Sequence, residues 1–273
     1  MLALARPVIQ HLELALQGAL KRPYAEPLVP SQRQSQTLLL LGAGGSLGSA
    51  MLAEALMAGR FARVQALVAE PLASALRGFE PLPMARLNAG LDDAPLADAA
   101  VIVFERERHS NGRDAAFVQP EPAALLSLAQ RLHACGVRRL AVVVPHAPAL
   151  LPQALRHGLA TLDEGAVAAL GFEHLVFVRA AQYASPQGGS RLQRFADWWL
   201  SQLRWMVPPT EQPVRAATLA RLVVELLRTL PSLPPATRVL APESLWQLAQ
   251  GGSFDVNGAL AAWAGGRKAD RPP

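Results

Sequence analysis

The sequence predicts an α/β fold in which a doubly wound parallel sheet carries helices on both faces. Short apolar runs that look like buried strands alternate with longer segments of helical periodicity. The first of these strands, residues 37–41, runs directly into a cluster of glycines that opens a helix. This first strand is a continuous apolar run rather than apolar at every second residue, which is typical of a strand in a parallel sheet covered on both sides.

Composition supports a folded domain and narrows the classes of partner. The chain has 273 residues, of which 51% are hydrophobic and 17% charged, so a large core can form and wholesale disorder is excluded. The formal charge of +5 comes from scattered arginines rather than a dense basic patch, so we expect no nucleic-acid partner. No apolar run is long enough to predict a membrane span, and no His, Asp or Glu spacing predicts a metal site.

A single cysteine, Cys135, leaves no partner for an intrachain disulfide. Its context at the end of a predicted helix favours a structural thiol, and the composition fits a reducing, cytoplasmic compartment.

The sequence predicts three segments along the chain. Residues 1–36 are predicted as an amphipathic helix and a linker, residues 37–250 as the α/β domain, and residues 251–273 as a disordered tail. Apolar runs predict strands at residues 37–41, 64–68, 100–104, 140–144, 174–178 and 237–241. Helical periodicity predicts helices at residues 47–57, 122–135, 151–170, 191–205 and 216–230, with Gly136 and Gly171 as stops for the second and third.

The glycine cluster predicts a phosphate-binding turn. Between a strand and a helix, glycines three residues apart allow a tight turn, a close approach of the backbone to a pyrophosphate, and close packing of the helix on the sheet. Backbone N–H groups at the start of the helix would hold the phosphates. The residues predicted to bind a dinucleotide are Gly42, Gly44, Gly45, Ser46, Leu47 and Gly48. A competing interpretation is a fold of this kind whose site is empty.

The choice of dinucleotide depends on the residues after the second strand. An acidic residue there binds the ribose of NAD, whereas an arginine accommodates the 2′-phosphate of NADP. Here Glu70 stands in that place and no arginine does. The cofactor is therefore predicted to be NAD or NADP, with NAD preferred.

Several segments resemble the atypical and extended short-chain dehydrogenases, which are NAD(P)H-binding Rossmann proteins. The run Leu-Leu-Leu-Leu-Gly-Ala-Gly-Gly-Ser-Leu-Gly, residues 38–48, resembles that family's Gly-Ala-Thr-Gly-x-x-Gly opening. Residues 136–144 resemble the segment that leads into its fifth strand, and residues 170–179 its Gly-Phe … Leu-Arg-Pro segment, with Ala180 in place of proline. Residues 213–220 resemble its Asp-Val-Ala stretch, with Thr218 at the aspartate position. The resemblance spans residues 37–250 and implies a Rossmann-like fold and a nicotinamide cofactor.

The same resemblance implies catalytic residues that this chain lacks. The family places a serine after its fifth strand and a Tyr-x-x-x-Lys pair on the next helix, where the lysine lowers the pKa of the tyrosine that transfers the proton. In this sequence the serine position falls at Pro145, and the tyrosine and lysine positions fall near Arg156 and Ala160.

A count of residues leads to the same conclusion without any alignment. The only tyrosines are Tyr24 and Tyr183, and no lysine exists between Lys21 and Lys268. A Tyr-x-x-x-Lys pair therefore cannot occur. His146 follows the predicted strand at residues 140–144, which corresponds to the family's fifth strand. His146 and Tyr183 are candidates for a replacement proton donor.

The loop after Phe104 also carries polar residues at the edge where α/β sites lie. These are Glu105, His109, Asn111 and Asp114. A solvated polar loop is the favoured interpretation of this group.

The sequence thus predicts a catalytically degenerate short-chain dehydrogenase relative that binds a nicotinamide dinucleotide and acts as a redox sensor, a regulator or an assembly partner of another protein. Two alternatives stay open. One is an NAD(P)H-dependent oxidoreductase with a non-standard proton donor, and the other is an interaction scaffold that binds no nucleotide.

Overall fold

The computed structural model describes residues 36–69, 72, 76–89, 95–105, 114–146, 159–181, 214–250 and 256–265. All of them belong to the compact unit that begins at Ser35. The predicted N-terminal helix and the predicted helix at residues 191–205 lie outside the described residues.

Most of the described strands and helices alternate along the chain, as predicted. The strands are β1 (Thr37–Leu41), β2 (Arg63–Val68), β3 (Phe79–Pro83), β4 (Ala99–Val103), β5 (Arg139–His146), β6 (His174–Ala181) and β7 (Ala236–Leu240). The α-helices are α1 (Gly45–Met57), α2 (Met84–Ala89), α3 (Leu125–Ala134), α4 (Leu162–Ala168), α5 (Ala216–Thr229), α6 (Pro242–Gln250) and α7 (Val256–Ala264).

The sheet confirms the predicted fold class. Its seven strands lie in the order β3-β2-β1-β4-β5-β6-β7, and every neighbouring pair is parallel. The sheet starts at β1, extends outward to β3, and then continues with β4 on the other side of β1. The fold is therefore Rossmann-like, and its topological switch point, where ligands of such sheets bind, lies at the carboxyl ends of β1 and β4.

Two apolar layers cover the sheet, which explains why β4 and residues 38–41 of β1 are apolar at every position. In β1, Leu38 and Leu40 face the layer formed with α1, α5, α6 and α7. Leu39 and Leu41 face the opposite layer, formed with α2, α3 and α4. No described helix is both long and apolar enough to cross a membrane.

The prediction of a continuous helix at residues 151–170 is wrong at residues 159–161. Residues 159–161 are not helical, and α4 begins only at Leu162. The side chain of Thr161 caps the helix because its Oγ1 accepts a hydrogen bond from the N–H of Glu164 at 3.1 Å. The predicted end is confirmed, since Gly171 follows with φ +82°, and Gly136 ends α3 with φ +79°.

Four elements differ from what the pattern predicted. Strand β3 and helices α2 and α6 have no counterpart among the predicted elements. Strand β3 carries Pro81 and Pro83, which an edge strand tolerates because one side of its backbone needs no ladder partner. Helix α7 lies where a disordered tail was predicted, and it buries Leu260 in the layer that contains α1 and α5.

Candidate functional site

The turn from β1 into α1 depends on two glycines with positive φ. Gly42 leaves the strand at φ +84°, and Gly45 opens the helix at φ +78°. Side chains other than glycine rarely adopt such angles. Between them Gly44 is the N-cap of α1 in an extended conformation and contributes no side-chain hydrogen bond to the helix. The helix thus begins with backbone N–H groups that its own cap residue leaves without a partner.

Two further contacts show how closely the backbone is packed at this turn. A Cβ on Gly42 would lie 2.4 Å from the carbonyl oxygen of Val103, in β4. A Cβ on Gly48 would lie 1.9 Å from the carbonyl oxygen of Gly42. Both distances are far below any real contact, so neither position accepts a side chain. The first turn of α1 therefore lies directly against the end of β1, as the glycine spacing predicted.

A carboxylate lies over the first turn of α1. Glu105, two residues after β4, accepts a hydrogen bond at Oε2 from the backbone N–H of Leu47 at 3.0 Å. A Cβ on Gly45 would lie 2.6 Å from that same oxygen. The positive end of the helix dipole stabilises an anion at this position, and here the anion is a side chain of the protein itself.

The connection between β4 and α3 also reaches this edge of the sheet. We refer to its residues 114–120 as the strap. The N–H of Val118 donates to the carbonyl oxygen of Leu67 at 3.1 Å, and the N–H of Ala69 donates to that of Ala116 at 2.9 Å. These bonds form an antiparallel bridge at the carboxyl end of β2.

The strap also borders the glycine turn. A Cβ on Gly42 would lie 3.1 Å from Cδ of Pro120. The strap therefore passes from the end of β2 to the end of β1.

A buried ion pair lies on the face of the sheet that packs against α4. Nη2 of Arg179, in β6, donates to Oε2 of Glu164 at 3.0 Å, and the two side chains are 3% and 4% exposed. The same carboxylate oxygen accepts the N–H of Ala160 at 2.6 Å. The pair therefore ties the start of α4 to β6. Ala160, the lysine position implied by the family resemblance, contributes only its backbone N–H to these contacts.

The structure brings together six of the predicted site residues in one turn. They are Gly42, Gly44, Gly45, Ser46, Leu47 and Gly48. Glu70 and Tyr183 lie outside the described residues. His146 is the last residue of β5, and Pro145 lies beside it in the same strand; the side chain of His146 is outside the described set.

Sequence reasoning missed the role of Glu105. The sequence favours a solvated polar loop for this residue, whereas its carboxylate contacts the first turn of α1. A signal was available, because Glu105 follows a strand that the doubly wound topology puts beside the first strand. The pattern did not reveal which of the polar residues in that loop turns inward.

The described residues contain neither a candidate metal site nor a reactive thiol. No group of three or more His, Cys, Asp or Glu side chains among these residues is arranged to hold a metal ion. Cys135 is buried, its Sγ–H donates to the carbonyl oxygen of Leu87 at 3.7 Å, and burial raises the pKa of its thiol. A buried thiol with a raised pKa is a structural group rather than a nucleophile.

Comparison with known proteins gives structural neighbours only. No protein-family model matches the sequence, and no curated protein matches it. An oxidoreductase of the short-chain dehydrogenase/reductase family from Burkholderia thailandensis has a TM-score of 0.44 at 16% identity, over 78% of this chain and 93% of its own. UDP-N-acetylglucosamine 4-epimerase from Bacillus cereus has a TM-score of 0.43 at 13% identity, over 83% and 85%.

A third neighbour is glucuronic acid dehydrogenase from Chromohalobacter salexigens, with a TM-score of 0.44 at 11% identity, over 87% of this chain and 91% of its own. At such identities and TM-scores, the function of this chain has to be inferred from its own geometry.

Proposed function

We propose that this protein binds a nicotinamide dinucleotide at the turn between β1 and α1, and that it is a catalytically degenerate relative of the short-chain dehydrogenases. The observation that carries the proposal is the glycine turn at the switch point of the sheet. Gly42 and Gly48 are required by backbone contacts, whereas Gly45 keeps open the space above the first turn of α1. A turn that combines a closely packed backbone with open space above the helix suits the pyrophosphate of a dinucleotide.

The residues present fit such a ligand. The backbone N–H groups of Ser46, Leu47 and Gly48 stand at the start of α1, where they would hold the phosphates. The space that a Cβ on Gly45 would enter is bounded by a flexible side chain, Glu105, rather than by backbone. Glu70, after β2, is proposed to bind the adenosine ribose, which favours NAD over NADP. A bound nicotinamide dinucleotide would supply redox chemistry if the protein also contained a proton donor.

The chain lacks the usual donor. No lysine exists between Lys21 and Lys268, so neither Tyr24 nor Tyr183 has one four residues later to lower its pKa. A protein that holds a dinucleotide without turning it over is suited to report on the cofactor or to present a ligand-dependent surface to a protein partner. We therefore assign it the role of a redox sensor, regulator or assembly partner.

Each alternative function has one observation in its favour. An oxidoreductase with a non-standard donor is favoured by His146, because β5 ends at this residue on the carboxyl edge, next to β4. A scaffold without nucleotide is favoured by Glu105, because its carboxylate already accepts the N–H of Leu47.

Calorimetric titration of the full chain with NAD⁺, NADH, NADP⁺ and NADPH tests the proposal. Gly45→Asp should abolish binding, because it adds bulk and a negative charge where the pyrophosphate lies. Gly45→Asn, which adds similar bulk without the charge, should weaken binding less. Both residues tolerate positive φ better than other side chains do, so the fold should persist.

Gly59→Asn is the matched control. Gly59 also has a positive φ, +57°, and a Cβ there meets no atom within 4 Å. This variant should bind as the unmodified protein does. If the wild-type protein, the Gly45 variants and the control all fail to bind any of the four dinucleotides at millimolar concentration, the scaffold alternative is correct.

A further inference from the structure

Two parts of this chain lie where parts of a dinucleotide would lie. The first is the carboxylate of Glu105, which accepts a hydrogen bond from Leu47 N–H at 3.0 Å at the start of α1. The second is the strap, residues 114–120, which is hydrogen-bonded to the carboxyl end of β2 and borders Gly42.

The carboxylate and a phosphate compete for the same donor. The N–H of Leu47 can form a strong hydrogen bond to only one anion at a time, and two anions at one helix start repel each other. Oε2 of Glu105 lies 2.6 Å from the position of a Cβ on Gly45, which is the space that the glycine leaves open above the helix. A pyrophosphate can approach this backbone only if the carboxylate moves away.

The strap lies across the path of the other half of the ligand. A dinucleotide held at the start of α1 extends its adenosine toward the end of the second strand, where an acidic residue binds the ribose. In this chain the strap donates its Val118 N–H to Leu67 at that end, and Ala69 N–H donates back to Ala116. An adenosine in this position would meet the strap between β1 and β2.

We propose that Glu105 and the strap together form a built-in occupant of the dinucleotide crevice, and that a dinucleotide binds only by displacing them. This inference rests on the proposed function, and it adds how the same site is regulated. The protein then binds the cofactor more weakly than the glycine turn alone would allow. A protein partner that moves Glu105 and the strap away from the crevice raises the affinity, so partner binding and cofactor binding are coupled.

The first test compares affinities in the full chain. Glu105→Gln keeps the shape of the side chain and removes its charge, and Glu105→Ala removes the competing acceptor altogether. Both should bind NAD⁺ and NADH more tightly than wild type, the alanine variant by about tenfold, as expected for one lost charge-assisted hydrogen bond. Glu121→Gln removes the same charge from an exposed residue just beyond the strap, whose side chain makes no helix-cap bond, and should bind as wild type does.

The second test follows hydrogen exchange at two backbone amides. In the free protein the N–H groups of Val118 and Ala69 are held by the bridge between the strap and β2. Addition of the dinucleotide should accelerate exchange at both amides, because the ligand displaces the strap. Gly136 N–H, bonded to His133 far from this edge, should exchange at an unchanged rate.

The outcomes separate this inference from the proposed function. Tighter binding by both Glu105 variants together with faster exchange at Val118 supports both. Equal affinity in wild type and both variants, or slower exchange at Val118 and Ala69 on binding, overturns the built-in occupant and leaves dinucleotide binding intact. No binding in wild type or either Glu105 variant overturns the proposed function and this inference with it.

Discussion

The guanidinium of Arg179 and the carboxylate of Glu164 meet at 3.0 Å in the interior of the protein, between β6 and the first turn of α4. Both side chains are almost completely shielded from water. Two charges can be buried in this way because each satisfies the other, and because the carboxylate also accepts the N–H of Ala160.

Removal of one member of this pair should destabilise the fold strongly. Arg179→Met leaves the Glu164 carboxylate buried without its partner, which should lower the free energy of unfolding by about 3–5 kcal/mol. The double variant Glu164→Gln, Arg179→Met should recover part of that loss, since no buried charge remains. Urea unfolding measures both.

The exposed pair of Arg63 and Glu80 is the control, with side chains 59% and 48% exposed. Glu80→Gln should change stability by less than about 1 kcal/mol, since solvent screens such pairs. A loss of similar size in Arg179→Met and Glu80→Gln would contradict the assignment of the buried pair.

His174 should make the stability depend on pH. Its side chain is fully buried at the start of β6, and neither ring nitrogen has a hydrogen-bond partner within the described part of the chain. Burial lowers its pKa from 6.5, and this outweighs the raising effect of Glu173, while Arg238 and Arg139 lower it further. Below pH 6.5 the His174 side chain binds a proton in the unfolded state but stays neutral in the folded state. The contribution of His174 to stability is therefore complete above pH 6.5 and decreases as the pH falls toward the folded-state pKa.

The measurement is the melting temperature of wild type and His174→Leu from pH 8 downward. Leucine has a similar volume and does not titrate, so the variant should lose less stability than wild type between pH 6.5 and the onset of acid unfolding. Parallel curves for the two proteins would show that His174 is not the group responsible.

Two helical glycines should respond in opposite ways to alanine. A Cβ on Gly48, in the first turn of α1, would lie 1.9 Å from a backbone oxygen, whereas a Cβ on Gly165, in α4, meets nothing within 4 Å. Gly48→Ala should therefore cost about 3 kcal/mol or prevent folding. Gly165→Ala should stabilise the protein by about 0.5–1 kcal/mol, because alanine loses less backbone entropy in a helix.

Thermal unfolding of the purified variants measures both effects. Should Gly48→Ala be as stable as wild type, the close packing of α1 on the end of β1 is not required.

Carbonyl–alcohol hydride exchange should be absent even where the cofactor binds. The alkoxide that forms must be protonated, and a positioned acid is worth roughly 10²- to 10⁴-fold in rate. Tyr183 has no lysine anywhere near it in sequence to lower its pKa. Nicotinamide absorbance, followed with a panel of ketones, aldehydes and alcohols, should stay at background. Turnover that disappears in Tyr183→Phe or His146→Ala would identify a replacement donor and establish an enzyme.

The strands of the sheet were predicted well because burial on both faces produces runs of consecutive apolar residues. Strands β1, β4, β5 and β6 each contain a continuous run of at least four apolar residues, and the amphipathic α5 lies within one residue of its predicted end. The turn residues were equally clear, since only glycine satisfies the contacts at Gly42 and Gly48.

The misses have identifiable physical causes. The two prolines of β3 argue against a strand in general, and they are allowed here only because β3 lies at an edge, which local pattern does not show. The start of α4 was marked in the sequence by Thr161-Leu-Asp-Glu164, a spacing typical of a helix cap, which the apolar periodicity of residues 151–170 obscured. The contact of Glu105 with Leu47 joins residues 58 positions apart and depends on a tertiary arrangement that no local pattern encodes.

The interior position of β1 in the sheet has a consequence for synthesis of the chain on the ribosome. Leu38 pairs with Ala99 of β4, and the N–H of Thr37 donates to Asp98, 61 residues further along. At about 5–20 residues per second, one edge of this leucine-rich strand stays without its native neighbour for several seconds after it emerges. Residues 37–41 are thus exposed to aggregation during translation, and chaperones that bind apolar nascent chains should engage them before β4 appears.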